Sequence, residues 1–178
     1  GVEGAGGELR PGDRSDAFVG RASARRLSSR QETCSNRVGL KVDNGIVVDE
    51  LLRTSVPEVF AAGDVANFFN PSLGARLRVE HEDNANTMGA AAGRAMAGQG
   101  TPYTHLPFFY SDLFALGYEA VGELDPRLET VSDWKEPFRE GVVYYLKDGR
   151  VRGVLLWGIF GKVGDARALI GKPLTARL

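Results

Sequence analysis

The residues with the clearest chemical content close the string Thr54-Ser-Val-Pro-Glu-Val-Phe-Ala-Ala-Gly-Asp64. Pro57 punctuates a turn, and Val59 to Ala62 is a short apolar run of the kind that forms a strand buried on both faces. Gly63 has no side chain, so a ligand can approach its backbone closely. Asp64 then stands at the carboxyl end of the strand, where open α/β sheets place their ligands. A carboxylate there is an acceptor suited to a sugar or ribityl hydroxyl. Taken alone, Gly63-Asp64 also reads as a core strand ending in a turn.

The elements that must position these residues follow from local pattern. Val38 to Val42 and Ile46 to Val48 flank Asp43-Asn44-Gly45, and Asn-Gly between apolar runs predicts a hairpin. After Asp64 a loop with Pro71 and Gly74 leads into Arg76-Leu-Arg-Val-Glu-His-Glu-Asp-Asn84. Ala85 to Gly98 is dense in Ala and Gly, which predicts a helix packed closely on a neighbour. Asp83 or Asn84 is the expected cap, and Gly98 or Gly100 the expected end, ahead of Pro102. Phe108, Phe109 and Phe114 read as core, and His105, just before Pro107, as structural. From Tyr118 onward, short apolar runs at 118–124, 130–134, 141–146 and 151–160 predict an antiparallel meander. A helix over 163–170, started by Gly164-Asp165, follows. The fold class is α/β followed by α+β.

Composition narrows the function. Hydrophobic content of 43% and 25% charge over 178 residues are those of a globular chain of one or two domains. A net charge of −1 and the lack of a Lys/Arg-rich patch argue against a nucleic-acid partner. No stretch approaches the roughly 20 apolar residues of a membrane span, and no signal-peptide pattern opens the chain, so the expected location is cytoplasmic. The single cysteine, Cys34, excludes an internal disulfide and a Cys-x-x-Cys redox pair. No metal centre is expected.

The whole string from Thr54 to Asp64 resembles the second flavin-binding motif of the FAD-dependent pyridine nucleotide-disulfide oxidoreductases. The lead-in Val48-Asp-Glu-Leu-Leu-Arg-Thr-Ser55 is similar to that family as well. The resemblance implies that Asp64 hydrogen-bonds the ribityl chain of FAD, with Gly63 beside it. Arg78-Val-Glu-His-Glu-Asp-Asn-Ala85 resembles the branch containing apoptosis-inducing factor and the bacterial ferredoxin reductases. There the Glu-His pair lies beside the isoalloxazine and the nicotinamide, so contact roles are implied for Glu80 and His81, and for Glu82 next to them. Alone, His81 reads as an ordinary hydrogen-bonded histidine. Phe109-Tyr-Ser-Asp-Leu113 resembles the family's aromatic signature, which implies that Tyr110 packs near the flavin ring and shields it from water. The start of the Ala-rich helix, aimed at the flavin, would stabilise negative charge on the reduced ring. Gly117-Tyr-Glu-Ala-Val-Gly122 is similar to the small C-terminal domain of these reductases, often involved in dimer contacts.

The resemblance spans residues 38–178. It implies an FAD-binding, Rossmann-like part over 38–104 and a small reductase C-terminal domain with an antiparallel sheet over 105–178. Residues 1–37 hold seven Arg and no Lys, and are read as an irregular or divergent segment in which only Ala17-Phe-Val19 resembles a strand. Gly4-Ala-Gly6-Gly7 follows no apolar strand and is not the phosphate-binding turn of a first flavin motif. The expected function is that of the C-terminal part of an FAD-dependent NAD(P)H oxidoreductase. Hydride would pass to the flavin and electrons onward to a ferredoxin-type or quinone acceptor, with a homodimer as a further expectation. No side chain is expected to act as a nucleophile, and the chain alone is expected to turn over little. The alternative is a non-catalytic interaction or dimerisation module derived from such a reductase.

Overall fold

Two apolar clusters organise the described residues: the first lies on two small sheets, and the second on one five-stranded sheet, termed the second sheet. The computed structural model describes residues 17–19, 38–114, 116–175 and 177–178. Gly4, Gly6, Gly7 and Cys34 lie outside them, as does most of the segment 1–37.

The first cluster is built on short strands. β1 (Ala17–Val19) pairs in parallel with β3 (Phe60–Ala62), from Ala17 opposite Phe60 to Val19 opposite Ala62. The expected strand over 59–62 is therefore present, but it is only partly covered: Ala61 is buried, while Phe60 and Ala62 are half-buried. β2 (Ile46–Val47) runs parallel to β4 (Ala66–Asn70), and β5 (Ala75–Leu77) returns antiparallel to β4. The expected 38–48 hairpin shrinks to one antiparallel bridge, Val42 to Ile46, with the Val47 N–H donating to Lys41 O at 2.9 Å, while Ile46 and Val47 also pair with β4.

Helix α1 (Glu82–Met96) begins three residues earlier than its alanines suggest, with His81 as its cap in place of Asp83 or Asn84. Asp83 and Asn84 turn inward instead, Asn84 being fully buried. At the other end the Gly98 N–H bonds Ala95 O at 3.0 Å and the Gln99 N–H bonds Arg94 O at 2.8 Å. These paired bonds form a Schellman close, which satisfies carbonyls the helix leaves open. Met88 and Ala92 face the first cluster together with Val48, Leu52, Ala61, Phe68 and Tyr103.

The second sheet contains β6 (Phe108–Leu113), β7 (Leu116–Gly122), β8 (Glu129–Glu136), β9 (Glu140–Lys147) and β10 (Arg150–Trp157). Its order is β6-β7-β10-β9-β8, and every neighbour is antiparallel. This departs from a simple meander, because β10 inserts between β7 and β9 and the Asp125-Pro126 connection joins strands that do not pair. Glycine opposite glycine admits β10 there. A Cβ at Gly122 would lie 2.2 Å from Arg152 O, and one at Gly153 2.1 Å from Glu123 O. Val142, Tyr144 and Leu146 alternate inward along β9 and meet Val121, Val151, Val154 and Leu156. Helix α2 (Val163–Leu169) covers this cluster through Ala166. Phe114, expected in the core, is fully exposed, because it stands in the turn after β6. Among the described residues no helix is long and apolar enough to cross a membrane.

Candidate functional site

The site grows from the point where β3 ends. Gly63, at φ +73°, turns the chain into a single 3-10 turn over Gly63–Val65, and its N–H points at Met88 Sδ at 3.2 Å. A Cβ at Gly63 would meet Ala85 of α1 at 3.6 Å, an ordinary contact. Within the protein itself, glycine is thus favoured by the left-handed backbone and not by lack of room. Asp64 follows, half-buried on the turn. Burial pushes its carboxyl above the usual range and the neighbouring Glu80 charge adds to this, while Arg78 and His81 oppose it.

Arg78 ties three pieces together. Its Nη1 donates to Asp64 O at 3.1 Å and to the Glu80 carboxylate, and its Nε lies 3.4 Å from Asn44 Oδ1. Arg78 therefore links the backbone of Asp64 to the Glu80 carboxylate. Two of its three partners, Asn44 and Asp64, lie 34 and 14 positions away, so local pattern does not join them to Arg78.

His81 and Glu82 form the start of α1. His81 has extended backbone, and its Nδ1 lies 3.4 Å from the Asp83 N–H. Its Nε2 lies 3.4 Å from the Tyr110 N–H. A neutral imidazole has one bare nitrogen, so it accepts one of these bonds at a time. The ring is walled by β6: Tyr110 edge-on at 5.0 Å, Phe109 at 5.6 Å and Phe108 at 6.1 Å between centroids. Tyr110 is 46% exposed, and its hydroxyl donates to Glu82 Oε2 at 2.8 Å. That hydrogen bond, followed by the Glu82 charge, raises the phenol above its ordinary range.

Behind this surface lies a half-buried polar network that sequence reasoning missed. Asp83 Oδ2 faces His105 Nε2 at 2.7 Å, the Phe108 N–H at 3.1 Å and Arg167 Nη2 at 3.3 Å. Tyr103 Oη lies 2.9 Å from Thr87 Oγ1 and donates to Asn84 Oδ1 at 3.2 Å. Burial pushes the Tyr103 phenol up to about 12. Asp83 and Arg167 are 84 positions apart, so no periodicity could have joined them.

All six residues expected at a cofactor site thus border the first turn of α1. Gly63 packs toward Ala85, Asp64 senses Glu80 and His81, and Tyr110 reaches Glu82. The turn carries the partial positive charge of open N–H groups. This surface offers acceptors for hydroxyls, donors for carbonyl or anionic oxygens, and an aromatic wall. Among the described residues no group of His, Cys, Asp and Glu is placed to hold a metal ion.

Comparison with known proteins bears on this arrangement. The profile of the pyridine nucleotide-disulphide oxidoreductases matches residues 12–89, starting upstream of residue 38, where motif reading placed the resemblance. The profile of the C-terminal region of apoptosis-inducing factor matches residues 92–137 and 132–172. Apoptosis-inducing factor 1, mitochondrial, of Dictyostelium discoideum is 42% identical over 146 residues, which is 75% of this chain and 27% of that protein. The ferredoxin–NAD(+) reductase component of the anthranilate 1,2-dioxygenase system of Burkholderia cepacia is 34% identical over 133 residues, 74% of this chain and 33% of that protein. Among solved structures, the covalent putidaredoxin reductase–putidaredoxin complex superposes with a TM-score of 0.69 at 26% identity, over 76% of this chain and 33% of the matched chain. The chain therefore spans between a quarter and a third of the length of these relatives.

Proposed function

The chain belongs to the pyridine nucleotide-disulphide oxidoreductase family, in the branch of apoptosis-inducing factor and the ferredoxin reductases, and on that premise we propose that it forms one side of the flavin site of an FAD-dependent NAD(P)H oxidoreductase. FAD and NAD(P)H are the cofactors of that family. The observation that supports this reading is the gathering of Asp64, Glu80, His81, Glu82 and Tyr110 around the first turn of α1.

The donor and acceptor set fits such a cofactor. Asp64 supplies a carboxylate at the end of a strand for ribityl hydroxyls. The start of α1 supplies N–H groups and a positive end for the oxygens of the ring. His81 and Tyr110 form an aromatic wall on which a planar ring packs and from which water is excluded. When bound, FAD would supply the hydride and electron-transfer chemistry. The protein's own contribution is to bind, orient and set the local field. We read the acceptor as a ferredoxin-type protein, by likeness to the two reductases above that are named with such partners.

The sequence contains no Gly-x-Gly-x-x-Gly turn, the element that grips a pyrophosphate in this family. We therefore expect the 178 residues alone to show little turnover, and steady NAD(P)H oxidation by them would overturn that expectation. The test of the site is a visible absorption spectrum after incubation with FAD and desalting. Flavin retained by the natural sequence and lost in Asp64→Asn supports the reading. A colourless protein, or equal retention by both, counts against Asp64 as a flavin contact.

A further inference from the structure

β6 is an edge strand, and two of its amides face the start of α1 instead of a neighbouring strand. The Phe108 N–H goes to Asp83 Oδ2 at 3.1 Å, and the Tyr110 N–H faces His81 Nε2 at 3.4 Å. The first turn of α1 therefore acts as the missing neighbour of β6. What fixes that seam comes from far along the chain. Arg167 of α2 places Nη2 3.3 Å from Asp83 Oδ2, donates Nε to Leu106 O at 2.8 Å, and lies over the Phe108 ring at 5.6 Å. One guanidinium thus grips the helix carboxylate and the segment that leads into β6. His105 completes the grip, with its Nε2 2.7 Å from the same oxygen.

We propose that Arg167 is a positioning residue for the Tyr110–Glu82–His81 cluster: acting through Asp83, it sets the spacing between the start of α1 and the edge of β6, and so places Tyr110 against Glu82. The proposal rests on reading that cluster as the flavin-facing surface. Its chemistry is that of a planar fork. Two donors of one rigid group satisfy two acceptors at a fixed separation, which a flexible ammonium cannot reproduce. Arg167 touches neither Glu82 nor Tyr110, so its effect on them is indirect.

The test reads Tyr110, because its phenol reports the Glu82 contact. The groups that bear on the phenol are Glu82 and Asp112, with His81 beside its ring. Ionisation of Tyr110 is followed by NMR in the full 178-residue chain carrying labelled tyrosine, with near-ultraviolet circular dichroism to confirm folding. Arg167→Met keeps the length of the side chain and removes the fork. The expected result is a folded protein in which Tyr110 ionises at lower pH than in the natural sequence, with partial recovery in Arg167→Lys. A folded Arg167→Met whose Tyr110 titrates as in the natural sequence overturns the proposal. Should that variant fail to fold, Asp83→Asn, which keeps the shape of the acceptor and removes its charge, is read by the same two outcomes. This titration needs no flavin. Loss of the flavin reading leaves it standing, and failure of the titration leaves flavin retention by the natural sequence untouched.

Discussion

The Tyr110 hydroxyl donates to Glu82 Oε2 at 2.8 Å, so a strand of the second sheet and the first turn of α1 meet in one hydrogen bond. Both partners are solvent-accessible, and the bond reports on the placement of the two elements more than it stabilises them. Replacing Glu82 by Gln removes the charge that holds the phenol protonated. Tyr110 is then expected to ionise at lower pH, which a tyrosine titration followed by ultraviolet absorption or NMR reads directly. No movement in Glu82→Gln, with movement in Asp112→Asn, would reassign the cause to Asp112.

Asp64 carries a pH dependence of opposite character to a salt-bridged carboxylate. Its carboxyl is raised in the folded state, chiefly by burial and then by Glu80. The folded chain therefore holds this proton more tightly than the unfolded chain does. Its contribution to stability is present at pH below the ordinary carboxylate value and is lost as pH rises through the raised folded value. Asp64→Asn removes that loss. It is expected to be at least as stable as the natural sequence near neutral pH, in a denaturant titration, while retaining less flavin. A variant that is both less stable and unchanged in flavin retention would contradict both roles.

Tyr103 is buried, and its phenol is pushed up to about 12. Unfolding releases it to the ordinary tyrosine value near 10, so its contribution is intact below about pH 10 and is lost as pH rises to about 12. Tyr103→Phe abolishes that alkaline loss. It also leaves Asn84 Oδ1 without the phenol donor at a cost of about 1–3 kcal/mol at neutral pH. Stability curves at neutral and alkaline pH should therefore converge for the two proteins, and parallel curves would exclude Tyr103 as the source.

The two kinds of glycine separate by mutation. Gly63→Ala meets only Ala85 at 3.6 Å, so the expected cost is the left-handed backbone alone, about 1–2 kcal/mol. Gly153→Ala drives a methyl to 2.1 Å from the backbone oxygen of Glu123, which cannot swing aside as a side chain would. Its cost is expected to exceed that of Gly63→Ala, with loss of the β7–β10 pairing in hydrogen exchange. Equal midpoints in a thermal melt would show that β10 can draw away from β7 freely.

The parts of the structure that were legible in sequence were the local ones. The apolar run before Gly63-Asp64, the alternation in β9 and the alanine-rich body of α1 each follow from a few neighbouring residues. The cap of α1 was misread because Asp83 and Asn84 are strong capping types in isolation. Here Asp83 is claimed by Phe108, His105 and Arg167, and Asn84 by Val79 and Tyr103. β6 was hidden in an aromatic string with no alternation, and Phe114, which looks like core, occupies a turn. The insertion of β10 beside β7 rests on Gly122 meeting Gly153, a pairing that no sequence window contains. Within the candidate site, Gly63 and Asp64 were legible from the strand end they close, whereas roles for Glu80, His81, Glu82 and Tyr110 came only through resemblance. The distant partners of the site's two organising residues, Arg78 and Asp83, became visible only when remote elements were brought together.

Engagement of β6 by the start of α1 also governs how molecules of this protein meet one another. An unpaired strand edge is a template for a neighbour's strand, and proteins that leave one bare are prone to fibrillar stacking. On one flank of the second sheet, Phe108 and Tyr110 present their amides to Asp83 and His81. On the other, β8 carries Glu129, Asp133, Lys135 and Glu136, and a register irregularity lies between Trp134 and Glu136. One border is closed by a helix and the other is guarded by charge and a bend. The contact between α1 and β6 thereby also covers an edge that a strand from another copy would otherwise extend.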